Sequence, residues 1–259
     1  MSSRISKFYS KKKTSTATVA SRRTDTELHP SPDGVGIKEN IRIYVLCHTD
    51  ERFRVASTIY GKYYWAVPIL MKYQDVTFEN AFWKQLLEIR EEWADCAMVG
   101  VISFSAHKKI NLHTVDSIVR NRCMWETGYY NFGWVTNKLY DYFHPTELNI
   151  MKNDICTKLN MKMPTIAYFN YWMCTPTKML QFIPWVTSKL IPAVLEHPFA
   201  MNNSNYWGLM PASALKSLCG VPYYPFVPFV LERLNKAFFT NYDSIVNGPD
   251  APCTTPCPD

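Results

Sequence analysis

The chain has 259 residues, of which 47% are hydrophobic and 19% charged, and this composition excludes an overall disordered protein. Seven of the 28 Lys and Arg residues lie in residues 1–23, where there is no acidic residue, so the rest of the chain is close to neutral. Because the net charge of +6 belongs to that segment, a basic face on the folded part is not evident, and we predict no nucleic-acid partner.

Three segments are expected along the chain. Residues 1–40 form a basic, Ser/Thr-rich leader, residues 41–246 a single folded domain and residues 247–259 a Pro-rich, disordered tail. No apolar run of about 18 residues is present, so no membrane span is predicted. The leader also lacks the apolar stretch of a secretory signal; a flexible leader is favoured, and a transit peptide is the alternative.

Apolar runs and helical patterns alternate along the domain. Strands are predicted at 41–47, 63–70, 97–104 and 165–169, helices at 77–95, from 112 onward and at 177–196, an irregular aromatic segment at 123–145 and a closing element at 228–239. Thr77 is expected to cap the helix at 77–95, and Pro184 and Pro192 to kink or break the helix at 177–196. The alternation predicts an α/β domain with a mixed central sheet flanked by helices.

Polar residues follow three of the predicted strands, at 48–52, 103–109 and 170–172. In an open α/β sheet such loops converge on one crevice beyond the carboxyl ends of the strands. Lys108 and Lys109 would offset the negative charge of a diphosphate there, although a solvated lysine pair explains them equally well. The chain has only 9 Gly and no Gly-rich phosphate loop, so any phosphate would be held by side chains.

Two acidic residues of the domain invite a chemical interpretation. Glu79 lies in the first turn of the predicted helix, where the helix dipole alone would explain it. Glu232 and Arg233 form a charged pair inside an apolar stretch and must find partners there. They are either an internal structural pair or a site acid or base beside a phosphate-binding arginine.

Eight cysteines are present without a Cys-x-x-Cys pair, which gives no support for a zinc cluster or a redox motif. Six of them stand singly in apolar or mixed surroundings, where a reduced thiol behaves as a small hydrophobic group. Cys253 and Cys257 lie in the tail and are either paired or free. The pattern favours a reducing compartment, so we expect a cytoplasmic protein.

Several short motifs occur in the order seen in certain small glycosyltransferases of bacteria and viruses. They are Cys-His-Thr-Asp-Glu at 47–51, Phe-Glu-Asn at 78–80 with Trp83, the segment 99–109, Asn-Tyr-Trp-Met at 170–173 and Pro-Phe-Val-Leu-Glu-Arg at 228–233. The chain resembles especially the glycosyltransferases that large chlorella-infecting DNA viruses encode to decorate their capsid glycan. The resemblance runs from about residue 41 to residue 240, and a viral origin would place the protein in the host cytoplasm.

The resemblance implies a GT-A-like, Rossmann-type single domain. It further implies a nucleotide diphosphate sugar as donor, with a UDP-sugar favoured and xylose from UDP-xylose as a particular case. The acceptor would be an oligosaccharide or a glycoprotein in viral or cell-surface glycan synthesis. A non-catalytic carbohydrate-binding or structural protein is the alternative, although such modules are usually all-β and the helix at 77–95 speaks against it.

We assign candidate roles on this interpretation, with inversion by direct displacement as the mechanism. The base candidates, in falling order, are Glu79, Glu232 and Asp50. The donor-binding candidates are His48, Arg52, Ser103, Lys108, Lys109 and Arg233, and the acceptor-binding candidates are Asn170, Tyr171, Trp172, Asn205 and Tyr206. No Asp-x-Asp motif occurs between residues 41 and 246, so metal-independent catalysis is favoured, while a one-carboxylate Mn²⁺ or Mg²⁺ site stays open.

Overall fold

The structure is a computed structural model that describes residues 40–133, 145–164, 170–206, 208 and 210–247. Apart from Asn40 and Asn247, the predicted leader and tail lie outside these residues. The strand predicted at 165–169 and the cysteines Cys253 and Cys257 also lie outside them.

Strands and helices alternate over the first half of the described chain, and helices dominate the second half. The strands are β1 Ile41–Cys47, β2 Ala66–Leu70, β3 Met98–Ser103, β4 Tyr129–Asn131 and β5 Trp172–Cys174. The α-helices are α1 Asp50–Tyr60, α2 Phe82–Glu88, α3 Leu112–Arg120, α4 Thr146–Lys158, α5 Pro176–Trp185, α6 Ile191–Leu195, α7 Ala212–Cys219, α8 Val227–Thr240 and α9 Tyr242–Asn247. Short 3₁₀ turns lie at Phe78–Ala81, Arg90–Glu92, Phe104–Lys108 and Arg122–Trp125, and a π turn at Val186–Leu190 joins α5 to α6.

In the described part of the chain, the five strands form one mixed sheet in the order β2-β1-β3-β5-β4. β1 pairs in parallel with β2 and with β3, whereas β5 runs antiparallel to β3 and to β4. The chain leaves β1 toward one side and returns to its other side with β3, which makes the gap between β1 and β3 a topological switch point. Crevices at such points, outside the carboxyl ends of the strands, are where open α/β sheets bind ligands.

Helices cover both faces of the sheet, and each face has its own hydrophobic core. Alternate residues of β1 point to opposite faces, so Ile43 and Val45 pack under α1 and α3, whereas Tyr44 and Leu46 pack against the helices on the other side. We call these the α1/α3 face and the α8 face. The predicted α/β class, with a mixed sheet flanked by helices, is confirmed.

A glycine lets the antiparallel strand β5 lie close to β3. A Cβ atom on Gly100 would stand 2.4 Å from the carbonyl oxygen of Trp172 and 2.7 Å from the Cβ of Met173. Any larger residue would therefore push β5 away. Trp172 then reaches the centre of the α8 face, where its ring stacks on Trp83 at 5.4 Å and meets Phe182 edge-on at 5.0 Å.

The prediction of one continuous helix at 77–95 is wrong, because the segment is divided into shorter helical pieces. The segment begins with a 3₁₀ turn, continues as the seven-residue α2 and ends in a second 3₁₀ turn. Thr77 makes no capping hydrogen bond, because its hydroxyl and its backbone N–H both bond to the carboxylate of Asp75. The next residue, Phe78, begins the 3₁₀ turn and has a positive φ of 53°.

The other predicted elements are close to those observed. The predicted strands at 41–47 and 97–104 are β1 and β3, and part of 63–70 is β2. The predicted helix at 177–196 is α5, the π turn and α6, with the π turn between Pro184 and Pro192. The closing element at 228–239 is the helix α8, and the irregular segment at 123–145 contains β4.

Two further expectations concern the compartment. The six described cysteines are unpaired thiols, five of them at least partly shielded from solvent. None of the helices in the described ranges combines the length and the apolar character needed to cross a membrane.

Candidate functional site

The candidate site lies where the parallel strands β1 and β3 end. The 3₁₀ turn Phe104–Lys108 follows β3 directly, and the buried Tyr60 of α1 fixes it in place. The Tyr60 hydroxyl donates to the Phe104 carbonyl at 2.9 Å and accepts from the His107 backbone N–H at 3.1 Å. As a result the residues after β3, up to Lys109, are held over the end of the sheet rather than left as a loose loop.

Glu79 and Glu232 come together at this edge, from the 3₁₀ turn before α2 and from the middle of α8. Both side chains are half-buried. Loss of solvent is the main cause that raises the pKa of Glu79 to about 7 and that of Glu232 to about 8. The negative charge of Glu79 also raises the pKa of Glu232, which shows that the two carboxyl groups are electrostatic neighbours.

Cationic side chains stand beside the two carboxyl groups. Lys109 and Arg52 lower the pKa of Glu79, and Arg233 and Lys109 lower that of Glu232, but burial outweighs them in both cases. Lys109 is exposed, with its Nζ 5.9 Å from the centre of the Tyr171 ring, and the Arg52 guanidinium lies 5.8 Å from the centre of the Phe104 ring. Two partly accessible cations therefore face the pair of carboxyl groups.

Three hydroxyl groups, those of Ser103, Ser105 and Tyr171, lie together in the site. The Ser103 hydroxyl lies 2.6 Å from the Tyr171 hydroxyl and 3.1 Å from that of Ser105. Burial raises the pKa of Tyr171 well above its ordinary value, and the charges of Glu79 and Glu232 raise it further. Tyr171 therefore stays protonated, and its hydroxyl is hydrogen-bonded to that of Ser103 beside the carboxyl groups.

Three buried amides tie together the chain segments that carry the site. The Asn235 side-chain nitrogen donates to the side-chain oxygens of Asn80 and Asn170, at 2.7 Å in each case. Each amide is next to a site residue: Asn80 follows Glu79, Asn170 precedes Tyr171, and Asn235 lies one helical turn after Glu232. All three are at least 96% buried, so these bonds are shielded from water and hold the segments in register.

Sequence reasoning names Asn80 together with Glu79 in the motif at 78–80, but it does not single out Asn235 as part of the site. The hydrogen bond between Asn235 and Asn80 joins residues that are 155 positions apart, and no local sequence pattern predicts this contact. The only signal in the sequence is the presence of two amides in otherwise apolar helical stretches, which would have to be paired if buried.

The remaining donor and base candidates of the sequence differ in their exposure and surroundings. Asp50 is exposed in the first turn of α1, where the helix dipole explains it, and Lys108 is exposed without entering the electrostatic surroundings of either glutamate. Burial and the charge of Arg52 lower the pKa of His48 to about 4, so it is neutral at pH 7. Arg233 is 96% buried and donates to the Phe229 carbonyl at 2.8 Å, which leaves little surface for a diphosphate.

The acceptor candidates divide into buried and exposed residues. Trp172 and Asn170 are 1% and 4% exposed, so neither presents a surface to a sugar. Tyr171 is equally buried, and its hydroxyl is hydrogen-bonded to that of Ser103. Asn205 and Tyr206 are exposed in the loop before α7.

The described residues do not offer a ready set of metal ligands. Across the described ranges, no three His, Cys, Asp or Glu side chains cluster in a way that would hold a metal ion. The two carboxyl groups of the site remain as the acidic ligands that a divalent cation would use.

Comparisons with known proteins add no relative: no protein-family model, no curated protein and no solved structure matches the chain.

Proposed function

We propose that the chain is a glycosyltransferase with a GT-A-like, Rossmann-type core that transfers a sugar from a nucleotide diphosphate, a UDP-sugar in the first instance, to a glycan acceptor. The observation that carries the proposal is the pair of half-buried carboxyl groups, Glu79 and Glu232, beside Lys109 and Arg52 at the ends of β1 and β3. Carboxyl groups of raised pKa suit proton transfer at neutral pH, and the cations suit a diphosphate leaving group.

Glu79 is the better candidate for the base. Lys109 and Arg52, the two cations proposed to bind the diphosphate, both favour the ionised form of Glu79, and its pKa of about 7 suits a base at neutral pH. In the proposed step the acceptor hydroxyl oxygen attacks the anomeric carbon while Glu79 takes the hydroxyl proton. The bond from the anomeric carbon to the diphosphate oxygen breaks, and its electron pair leaves with the nucleotide diphosphate, whose charge Lys109 and Arg52 offset.

The proposal is tested by measuring nucleotide release from UDP-, GDP- and dTDP-sugars, with and without EDTA. Release from one donor supports it, and a flat response across the panel together with tight glycan binding would favour the non-catalytic carbohydrate-binding alternative. Loss of release in EDTA and recovery with Mn²⁺ would replace the metal-independent mechanism by a metal-assisted one.

Lys109→Ala and Lys108→Ala form a matched pair for the donor contact, because both lysines are exposed neighbours on the chain. We expect Lys109→Ala to raise the KM for the donor about tenfold, as one phosphate contact is lost, while Lys108→Ala changes it less than about twofold. Equal effects of the two substitutions would contradict the assignment of Lys109.

Glycoside hydrolysis is a second candidate, favoured by the two neighbouring carboxyl groups whose pKa values are both raised by burial. Glycosidases pair a protonated carboxyl group with an ionised one, and Glu79 and Glu232 would share those parts. Such an enzyme would release 4-nitrophenol from a 4-nitrophenyl glycoside with a bell-shaped pH profile. A transferase needs no protonated Glu232, so its rate rises through pH 7 and then levels off.

A further inference from the structure

Four aromatic side chains form a cluster near the two glutamates, which we call the aromatic platform: Phe78, Tyr206, Tyr224 and Phe229. The ring centre of Tyr224 lies 5.6 Å from that of Phe78 and 5.2 Å from that of Tyr206, and Tyr206 lies 5.1 Å from Phe229. Tyr206 is 48% exposed and the other three are half-buried. The cluster therefore keeps aromatic surface open to solvent.

The platform is attached to both carboxyl groups through the chain itself. Phe78 directly precedes Glu79 in the 3₁₀ turn, and Phe229 precedes Glu232 by three residues on α8. Residues three apart on a helix share a face, so the Phe229 ring and the Glu232 carboxyl group lie along the same side of α8. A ligand on Phe229 would thus lie on the side of α8 that carries Glu232.

The backbone around the platform is built to hold these rings. Phe78, one of the four rings, has a positive φ of 53°, which a bulky residue adopts only where the surroundings enforce it. Asn205, which precedes Tyr206, has a φ of 56°, a conformation that asparagine tolerates well. A Cβ on Gly208 would stand 2.4 Å from the Tyr224 ring, so this ring needs the glycine. The Tyr224 hydroxyl is also fixed, since it accepts from the Met210 backbone N–H at 3.2 Å.

We propose that the aromatic platform is the acceptor site and that it binds a pyranose ring by stacking the apolar face of the sugar on Tyr206 and its neighbours. The proposal rests on the proposed function, for which it names the acceptor subsite and the class of acceptor. Rigid aromatic rings suit this task because they offer a large apolar face at little cost in side-chain entropy. A sugar seated there would present its hydroxyl groups toward Glu79.

Saturation-transfer difference NMR tests the platform directly. The probes are the methyl pyranosides of xylose, galactose, glucose and mannose together with lactose and cellobiose. We expect saturation of the aromatic protons to reach at least one of these sugars in the wild-type protein. Tyr206→Ala should weaken the binding about fivefold, the size expected for the loss of one aromatic contact, and Tyr206→Phe should keep it.

Two further variants exclude a merely structural effect. Tyr64→Ala is the matched control, because Tyr64 is a tyrosine of nearly the same exposure, 50%, that packs on Arg120 of α3. It should leave the binding unchanged. Tyr206→Leu keeps apolar contact with Tyr224 and Phe229 but removes the aromatic face, so it should weaken binding as Tyr206→Ala does.

The proposal is overturned if no sugar of the panel receives saturation from the wild-type protein, or if Tyr206→Ala or Tyr206→Leu binds as the wild type does. These outcomes are separate from the test of the proposed function, which measures nucleotide release without an acceptor. In an acceptor assay, Tyr206→Ala should raise the KM for the acceptor about fivefold and change kcat less than about twofold, because stacking binds substrate and transition state alike.

Discussion

The two faces of the sheet bury different kinds of side chain. On the α1/α3 face, the two helices bury Ala56, Tyr60, Leu112, Val115 and Val119. Their charged residues are exposed except Arg52 and Asp116, which are half-buried. The α8 face buries, besides its aromatic core, the amides Asn80, Asn170 and Asn235 and the guanidinium of Arg233.

This difference shows where the molecule departs from an apolar core. Burying polar groups is unfavourable unless each finds a partner, so an apolar face is the default for a sheet covered by helices. The α8 face instead keeps two desolvated carboxyl groups whose pKa values are raised, which destabilises their charged forms. Such an arrangement is typical of a site selected for chemistry rather than for stability.

The largest expected effect comes from removing the proposed base. Glu79→Gln keeps the shape of the side chain but cannot accept a proton, so we expect nucleotide release in the presence of acceptor to fall about 10²–10⁴-fold. Steady-state kinetics would measure it, with Glu92→Gln as the control, because Glu92 is an exposed partner of Arg42. Full turnover in Glu79→Gln would remove Glu79 as the base and make Glu232 the next candidate.

The next largest effect is expected for the three hydrogen-bonded amides Asn80, Asn170 and Asn235, which we call the amide bridge. Asn235→Ala leaves the buried oxygen of Asn170 without its donor and removes one of the two donors to Asn80, so we expect the free energy of unfolding to fall by about 2–3 kcal/mol. Urea titration would measure the loss.

Asn241→Ala is the matched control for the amide bridge. Asn241 is a second buried amide, which follows the end of α8 and bonds to the backbone of Lys162, away from the carboxyl groups. We expect the two variants to lose similar stability, while only Asn235→Ala changes the pH at which Glu79 titrates in ¹³C-carboxyl NMR. An unchanged Glu79 titration in Asn235→Ala would show that the bridge stabilises the fold without positioning the carboxyl groups.

The parallel part of the fold follows from the sequence, whereas its edges do not. The apolar runs at 41–47 and 97–104 predict β1 and β3 because strands covered on both faces need such runs. β4 and β5 have three residues each, too few for a period to be recognised. The helix α4 is not among the predicted elements, although Leu148, Met151 and Ile155 recur at helical spacing. The pattern that indicates this helix is therefore present in the sequence.

The candidate site shows the same limit. Glu232 can be selected from the sequence because a charge inside an apolar run must find a partner. Lys109 is selected because it follows a predicted strand, and Glu79 because of the motif at 78–80. Which of them meet depends on contacts between distant segments, as do the amide bridge and the aromatic platform. Trp172 shows the converse case: its neighbours Asn170 and Tyr171 suggest a surface loop, whereas its indole is buried against Trp83 and Phe182.

Stability should depend on pH through the same two carboxyl groups. A carboxyl group whose pKa is raised by folding binds its proton more tightly in the folded state, so stability falls as pH rises from the ordinary glutamate pKa toward 7 and 8 and is constant above. Glu232→Gln removes the contribution of one of the two groups to this loss of stability. We therefore expect its free energy of unfolding at pH 8.5 to be about 1–2 kcal/mol higher than that of the wild type.

Glu88→Gln is the control for this pH effect. Tyr73 and Lys72 lower the pKa of Glu88 by hydrogen bonding, so its stabilising contribution is complete above the ordinary glutamate pKa and does not change between pH 5 and pH 8.5. Chemical denaturation at a series of pH values would compare the variants. A wild-type stability that rises over this range would contradict the desolvated state of the carboxyl pair.

The smallest effect is expected on the α1/α3 face. Arg120 and Asp116 form an ion pair at 2.9 Å one turn apart on α3, with the arginine side chain 61% exposed. Because water screens such pairs, Arg120→Ala should reduce the free energy of unfolding by no more than about 0.5 kcal/mol and leave nucleotide release unchanged. If urea titration gave Arg120→Ala a loss as large as that of Asn235→Ala, polar contacts on the two faces would contribute alike, and the burial of polar groups would no longer distinguish the face that carries the site.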